Sequence, residues 1–267
     1  MNTKSRHQDI KDNLFAASLF SLLVLLTACS KSNQFPGSIA GDSNQSSGAT
    51  PGNNSSSGET PNPTPPPAPM PTPEPTYKMA ALAWETSSKP ERALWSAYLQ
   101  KIISEDWTTL LNGADDIESF CPTYHKLDNN ERANVWAQLF VGMAKYESGW
   151  DPTSRMLEST LGTDGVTGRS VYSEGLLQLS YGDIQGWQFC DFDWSKDKSL
   201  SATNPNKTIL NPYKNLYCGV GIMAKQVAKK GAIVLSSGVY WSVLKKGGTY
   251  QKISSIQSVV KSLSLCK

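Results

Sequence analysis

The chain predicts a mainly α-helical protein, with one helical domain over residues 78–267, a small or absent sheet, and two disulfides. Three observations lead there. Apolar residues recur at steps of three and four in several windows. No stretch alternates long enough in β-branched residues to build a large sheet. Four cysteines, an even number, fall within the 78–267 part.

Residues 1–13 carry Lys4, Arg6 and Lys11, and residues 14–26 form an apolar run too short to span a bilayer comfortably but suited to a signal segment. The run ends in Leu26-Thr27-Ala28-Cys29, which resembles the lipobox of bacterial lipoproteins. That resemblance implies a signal peptide over residues 1–28 and a lipid on Cys29 that anchors the chain without spanning the membrane. Ser30 in the next position implies the outer membrane, facing the periplasm or the cell surface. Residues 29–77 are Ser-, Asn- and Gly-rich, then Pro-rich from 61 to 75. Nothing in them can build a core, so they read as a tether that is flexible first and stiffer later.

Lys and Arg number 25 against 23 Asp and Glu, a net charge of +2. So even a balance gives no electrostatic case for nucleic acid, and a monomer is expected. In an exported domain, Cys121, Cys190, Cys218 and Cys266 read as two disulfides with three possible connectivities, of which Cys190–Cys218 with Cys121–Cys266 is the one expected. Neither a metal nor a cofactor is expected: the cysteines are widely spaced, and His7 and His125 supply no nearby ligand pair.

The elements follow in order. Ser88-Lys89-Pro90-Glu91 has capping-box spacing and predicts a helix over about 90–104 with Leu94, Trp95, Tyr98, Ile102 and Ile103 at helical intervals. Residues 107–111 form a short segment turning at Asn112-Gly113, and 115–120 is ambiguous. Asp128 and Glu131 form a second capping box that opens a helix running to residue 146. Residues 151–174 show no sustained period and read as a long loop, a feature that is commonly functional. Gly175-Leu176-Leu177-Gln178-Leu179-Ser180 is a short apolar run, Tyr181-Gly182-Asp183 a turn, and 187–207 irregular. Asn211-Pro212 starts a helix with Leu216, Val220, Met223 and Val227 inward and Gly231 as its cap. Val239-Tyr240-Trp241 begins a short apolar segment, and a last helix from about 250 turns Ile253, Ile256, Val260 and Leu263 inward.

Glu147 is the unusual residue in this pattern. With Trp136, Phe140 and Met143 it shares one face of its helix, which places a carboxyl on the side that meets the core. Poor solvation there disfavours the charged form and suits a general acid. Taken alone, Glu147-Ser148-Gly149 reads more simply as a solvated helix end.

Three separated pieces change that balance: Glu147-Ser148-Gly149-Trp150, Gly175-Leu176-Leu177-Gln178-Leu179 and Asn211-Pro212-Tyr213-Lys214-Asn215-Leu216. In this order they resemble the lytic transglycosylase domain of the lysozyme-like superfamily, which includes goose-type lysozymes. The resemblance spans roughly residues 131–241 and implies an α+β lysozyme-like fold. Leu177 stands where the family usually has Met, a volume-conserving change, and Tyr240-Trp241 stands where it has Tyr-Asn.

The resemblance implies cleavage of the β-1,4 bond between N-acetylmuramic acid and N-acetylglucosamine in peptidoglycan glycan strands, with Glu147 as general acid and base. It further implies substrate contacts for Ser148, Gln178 and Tyr240, with Trp150, Tyr181, Trp187 and Tyr213 as rings that could stack on sugars or simply pack in the core. The family expectation is a lytic transglycosylase that closes an anhydro ring. The alternatives are a hydrolytic lysozyme and a noncatalytic wall-binding lipoprotein. A hydrolase often uses a second carboxylate, and Glu158, Asp164, Glu174 and Asp183 are the candidates, unranked. Residues 151–174 hold Asp151, Glu158, Asp164 and Glu174 against Arg155 and Arg169, an acid excess that points to acceptance of N-deacetylated, cationic strands.

Overall fold

Two helices carry most of the buried surface, and their termini show how the sequence sets them. In the computed structural model, which describes residues 77–267, α1 (Glu91–Glu105) precedes the long central α2 (Asn129–Glu147). Asp128 accepts from Glu131 N at 2.9 Å while the Glu131 carboxylate accepts from Asp128 N at 2.9 Å, so the capping box predicted there is formed in full. The box predicted at Ser88 is not. Pro90 takes the N-cap position in helical geometry, and the Ser88 hydroxyl pairs with that of Thr86.

α2 is buried along most of its length, polar residues included. Asn134 accepts from Ala80 N (2.7 Å) and from the Tyr77 hydroxyl (2.9 Å), and Gln138 accepts from Ala83 N (3.0 Å) while donating to Val259 O (2.9 Å). The incoming segment and the last helix, α6 (Ile253–Lys261), are therefore both fastened to α2. Trp84 packs edge-on to Trp95 at 5.5 Å and donates to Ser96 Oγ, closing α1 over the same core.

The stretch expected as an irregular loop is a small antiparallel hairpin, β1 (Arg155–Leu157) with β2 (Tyr172–Glu174), paired Arg155 to Glu174 and Leu157 to Tyr172. Strands of three residues are too short to show a period. Two one-turn helices follow, α3 (Asp183–Gly186) where a turn was expected and α4 (Trp194–Asp197) inside the stretch read as irregular. α5 (Pro212–Lys230) matches its sequence signals: the Asn211 side chain accepts from Tyr213 N and Lys214 N, Pro212 is the first helical residue, and Gly231 caps the end at φ 71°.

Residues 77–267 form one compact unit, mainly helical, with this single two-stranded sheet among the described residues. The disulfides are Cys121–Cys266 and Cys190–Cys218, the expected pairing. No helix among the described residues is long and apolar enough to cross a membrane. The lipidation expected at Cys29, the signal peptide and the tether as far as residue 76 lie outside the described residues.

Gly175 yields a stability prediction. It sits at φ 80°, and an added Cβ would lie 2.3 Å from Asn215 Nδ2 and 3.0 Å from Ile209 O. Gly175→Ala should cost about 2–4 kcal/mol and lower the melting temperature by about 5–10 °C, read by calorimetry.

Candidate active site

Glu147 is the last residue of α2 and is buried, on the stripe with Trp136, Phe140 and Met143 that the sequence predicts. The helix stops abruptly behind it. Ser148 donates its hydroxyl back to Ala144 O, and Gly149 and Trp150 both take positive φ, 65° and 66°. Such a φ is an outlier for a bulky residue, so the surroundings must enforce it at Trp150. They do: the indole donates to Val141 O at 2.9 Å, Arg92 and Lys145 lie over the ring at 5.4 and 5.5 Å, and Arg92 donates to Trp150 O. Trp150 thus clamps the helix end and turns the chain into the hairpin.

The hairpin sorts its acids by strand alternation. Arg155, Tyr172 and Glu174 point to one face, Met156, Glu158 and Ser173 to the other. Glu158, directly after β1, is fully buried; Ser173 donates to its Oε1 at 2.6 Å, and its amide donates to Val171 O. On the opposite face Glu174 forms ion pairs with buried Lys207 and with Arg155 (3.5 Å).

After β2, Glu174 and Leu179 exchange backbone hydrogen bonds and close the tight loop 175–178, with Gly175 and Gln178 at φ 80° and 52°. Asn215 accepts from Leu177 N (2.8 Å) and donates to Glu174 O and Ile209 O (both 3.1 Å), while the Trp241 indole donates to Leu177 O (2.9 Å). The third motif of the sequence therefore supports the second. Gln178 is buried, and its amide donates to Gly175 O in its own loop and to Ser154 O just before β1.

Tyr240 is where these parts meet. It is buried, and its hydroxyl donates to Asp183 Oδ2 at 2.6 Å, an oxygen that also accepts from Ser180 N and Ser180 Oγ. Burial pushes the phenol well above its ordinary range, and the negative charges of Asp183, Glu147 and Glu158 push it further. Three carboxyl groups from separate segments, the end of α2, the hairpin and the start of α3, thus act on one protonated phenol.

The other candidates have separate duties. Asp164 accepts from Val166 N, Thr167 N and Gly182 N and shapes the hairpin turn. Asp151 accepts from Thr153 N and its hydroxyl. The acids of residues 151–174 consequently form no common surface. The Tyr181 hydroxyl donates to buried Asp197 at 2.7 Å, and Tyr213 packs edge-on to Tyr98 at 5.0 Å. Sequence reading missed Ser173, Lys207 and Asp197, which carry no motif, and the clamp role of Asn215, which sits inside a recognised motif. Among the described residues no group of three or more His, Cys, Asp or Glu could hold a metal ion.

No family model matches the chain, and no curated protein does. Among solved structures it is similar to three of DslA (Bd0314). The wild-type form is 26% identical with a TM-score of 0.57, and two variants, each with one Glu replaced by Gln, are 26% and 24% identical with TM-scores of 0.58 and 0.56. Each match covers 72% of this chain and 100% of the DslA chain. The two substituted positions in DslA lie eleven residues apart, the same separation as Glu147 and Glu158.

The phenols carry a pH prediction. Burial pushes the Tyr124 phenol up to about 12 against the opposing hydrogen bond from Trp136, and Tyr240 is raised as well. Stability from a raised phenol is fully present below the unfolded value of about 10 and is lost as pH rises through the folded value, because the unfolded chain releases its protons first. The urea midpoint should fall steeply above about pH 10, and Tyr240→Phe should show a shallower fall.

Proposed function

We propose that residues 77–267 form a peptidoglycan glycosidase that hydrolyses the β-1,4 bond between N-acetylmuramic acid and N-acetylglucosamine, with Glu147 as general acid and Glu158 as the second carboxylate. The observation that carries this reading is a pair of buried glutamates, Glu147 at the end of α2 and Glu158 directly after β1 with Ser173 donating to it, at the spacing of the two glutamates substituted in DslA. Protonated Glu147 would donate to the glycosidic oxygen as the bond lengthens. Glu158, oriented by Ser173, would take a proton from the water that attacks the anomeric carbon. Asp183 is a poorer candidate for that work, since one of its oxygens already serves Ser180 and Tyr240. Asp164 and Glu174 are committed to a turn and to ion pairs.

A second glutamate favours water as nucleophile over the anhydro-ring closure that the family resemblance implies, which needs only one acid. The glutamates substituted in DslA, at the same spacing, support the choice of this pair. Acceptance of N-deacetylated strands loses the basis that the loop composition gave it, because the acids of residues 151–174 are committed to a turn, to ion pairs and to Ser173.

Digestion of purified sacculi followed by muropeptide mass analysis tests the reaction. Reducing ends are expected; ends lighter by one water would replace hydrolysis with the transglycosylase reaction. Glu147→Gln and Glu158→Gln should each lower turnover by about 10²–10⁴-fold with unchanged circular dichroism. Sacculus clearing that survives Glu147→Gln would remove Glu147 as the acid, whereas sacculus binding without clearing by the wild type would favour a noncatalytic wall-binding role. Glu174→Gln should act differently: it leaves buried Lys207 without its carboxylate and should cost about 3–5 kcal/mol of stability, seen as a lowered denaturation midpoint.

A further inference from the structure

A groove opens beside Tyr240, away from the carboxyl groups, and its charge is opposite to theirs. Trp187 forms one wall, directly after α3, and the C-terminal turns of α5 form the other with Lys225, Lys229 and Lys230. Gln226 sets the floor: it is buried, its carbonyl accepts from Tyr240 N (3.3 Å), and its amide donates to Ala232 O and Ile233 O. Lys225 and Lys229 stand four residues apart, on the face that also carries Gln226.

All three lysines are exposed, and among the described residues none is in an ion pair, whereas Lys101, Lys196, Lys207 and Lys214 each have an acidic partner. The carboxylates that meet this end of α5 are turned elsewhere. Asp115 lies against Gly231, and Asp116 accepts from Ile233 N and Val234 N; neither lines the groove. Lysines in a last helical turn complement the helix dipole, which accounts for Lys229 and Lys230. It does not account for Lys225, more than a turn upstream.

We propose that this groove binds the acidic peptide carried by the wall glycan, with the three ammonium groups meeting its carboxylates and the Trp187 ring covering its apolar part. The inference rests on the glycosidase reading above. Tyr240 lines this groove and bonds Asp183, which joins the groove to the carboxyl groups, and in peptidoglycan a carboxylate-rich peptide hangs from the muramic sugar beside the bond being cut. Acid residues then act on the sugar, while basic residues hold the side chain of the polymer.

The test uses Lys225→Gln/Lys229→Gln/Lys230→Gln in the full chain, assayed on glycan strands with intact peptides and on strands stripped of peptide by an amidase. On intact strands KM should rise about threefold to tenfold at low salt with kcat retained, and the difference should shrink in high salt. On stripped strands the variant and the wild type should match. Equal loss on both substrates, or no change on either, would overturn the proposal. Pull-down by sacculi before and after peptide removal reads the groove without catalysis. Should wild type cleave neither substrate yet lose binding on peptide removal, with the triple variant blind to that removal, the glycosidase reading fails and the groove stands. Binding of the wild type to anionic lipid vesicles but equally to both kinds of sacculi would assign the lysines to a membrane surface and reject the peptide.

Discussion

The side chain of Asn215 is the constraint on which the site depends. It lies wholly inside the protein and accepts from Leu177 N in the tight loop 175–178 while donating to Glu174 O at the loop's base and to Ile209 O before α5. Buried backbone groups left unpaired cost about as much as lost hydrogen bonds, so without this amide the loop could not stay in the core. Because Asn215 belongs to α5, the loop is placed relative to the longest helices and not by its own flexible geometry. Trp241 adds a second fixed point at Leu177 O. Its fully buried ring both fills the core and supplies a donor to the loop.

Electrostatically, the domain matches most of its buried acids with donors of their own. Glu174, Asp164 and Asp197 are each matched by lysine, amide or hydroxyl donors close at hand. Asp183 instead accepts from the buried Tyr240 phenol, which burial and the nearby negative charges of Asp183, Glu147 and Glu158 keep protonated. A fold tolerates such a concentration only when the frame around it is rigid, and here the frame consists of a helix end clamped at Trp150, a hairpin and a disulfide-braced α5. Strain at Trp150 and Gln178 flanks the same region.

Much of this was legible in the residues. The caps at Asp128, Asn211 and Gly231 and the helical stripes follow from local chemistry, and local chemistry formed them, whereas the cysteine pairing was one of three open connectivities and includes a bridge between residues 145 apart. The Ser88 capping box did not form because the helix begins at Glu91 with Pro90 in the N-cap position, two residues past Ser88. The hairpin was invisible because three-residue strands have no period. That in turn hid the ranking of the acids: Glu158 and Glu174 look equivalent in composition, and only the alternation of β1 and β2 sends them to opposite faces. Pairings between distant residues, such as Tyr240 with Asp183 or Lys207 with Glu174, have no local signature at all.

Gln138 has a consequence for how the domain opens. One end of its amide group holds Ala83 N, near the start of the described chain, and the other holds Val259 O in α6. An event that frees either segment removes a partner from the amide that secures the other. Excursions of the two termini are therefore coupled through a single side chain, and the amides around Ala83 and along α6 belong to one unit of hydrogen exchange with the helix that carries Glu147.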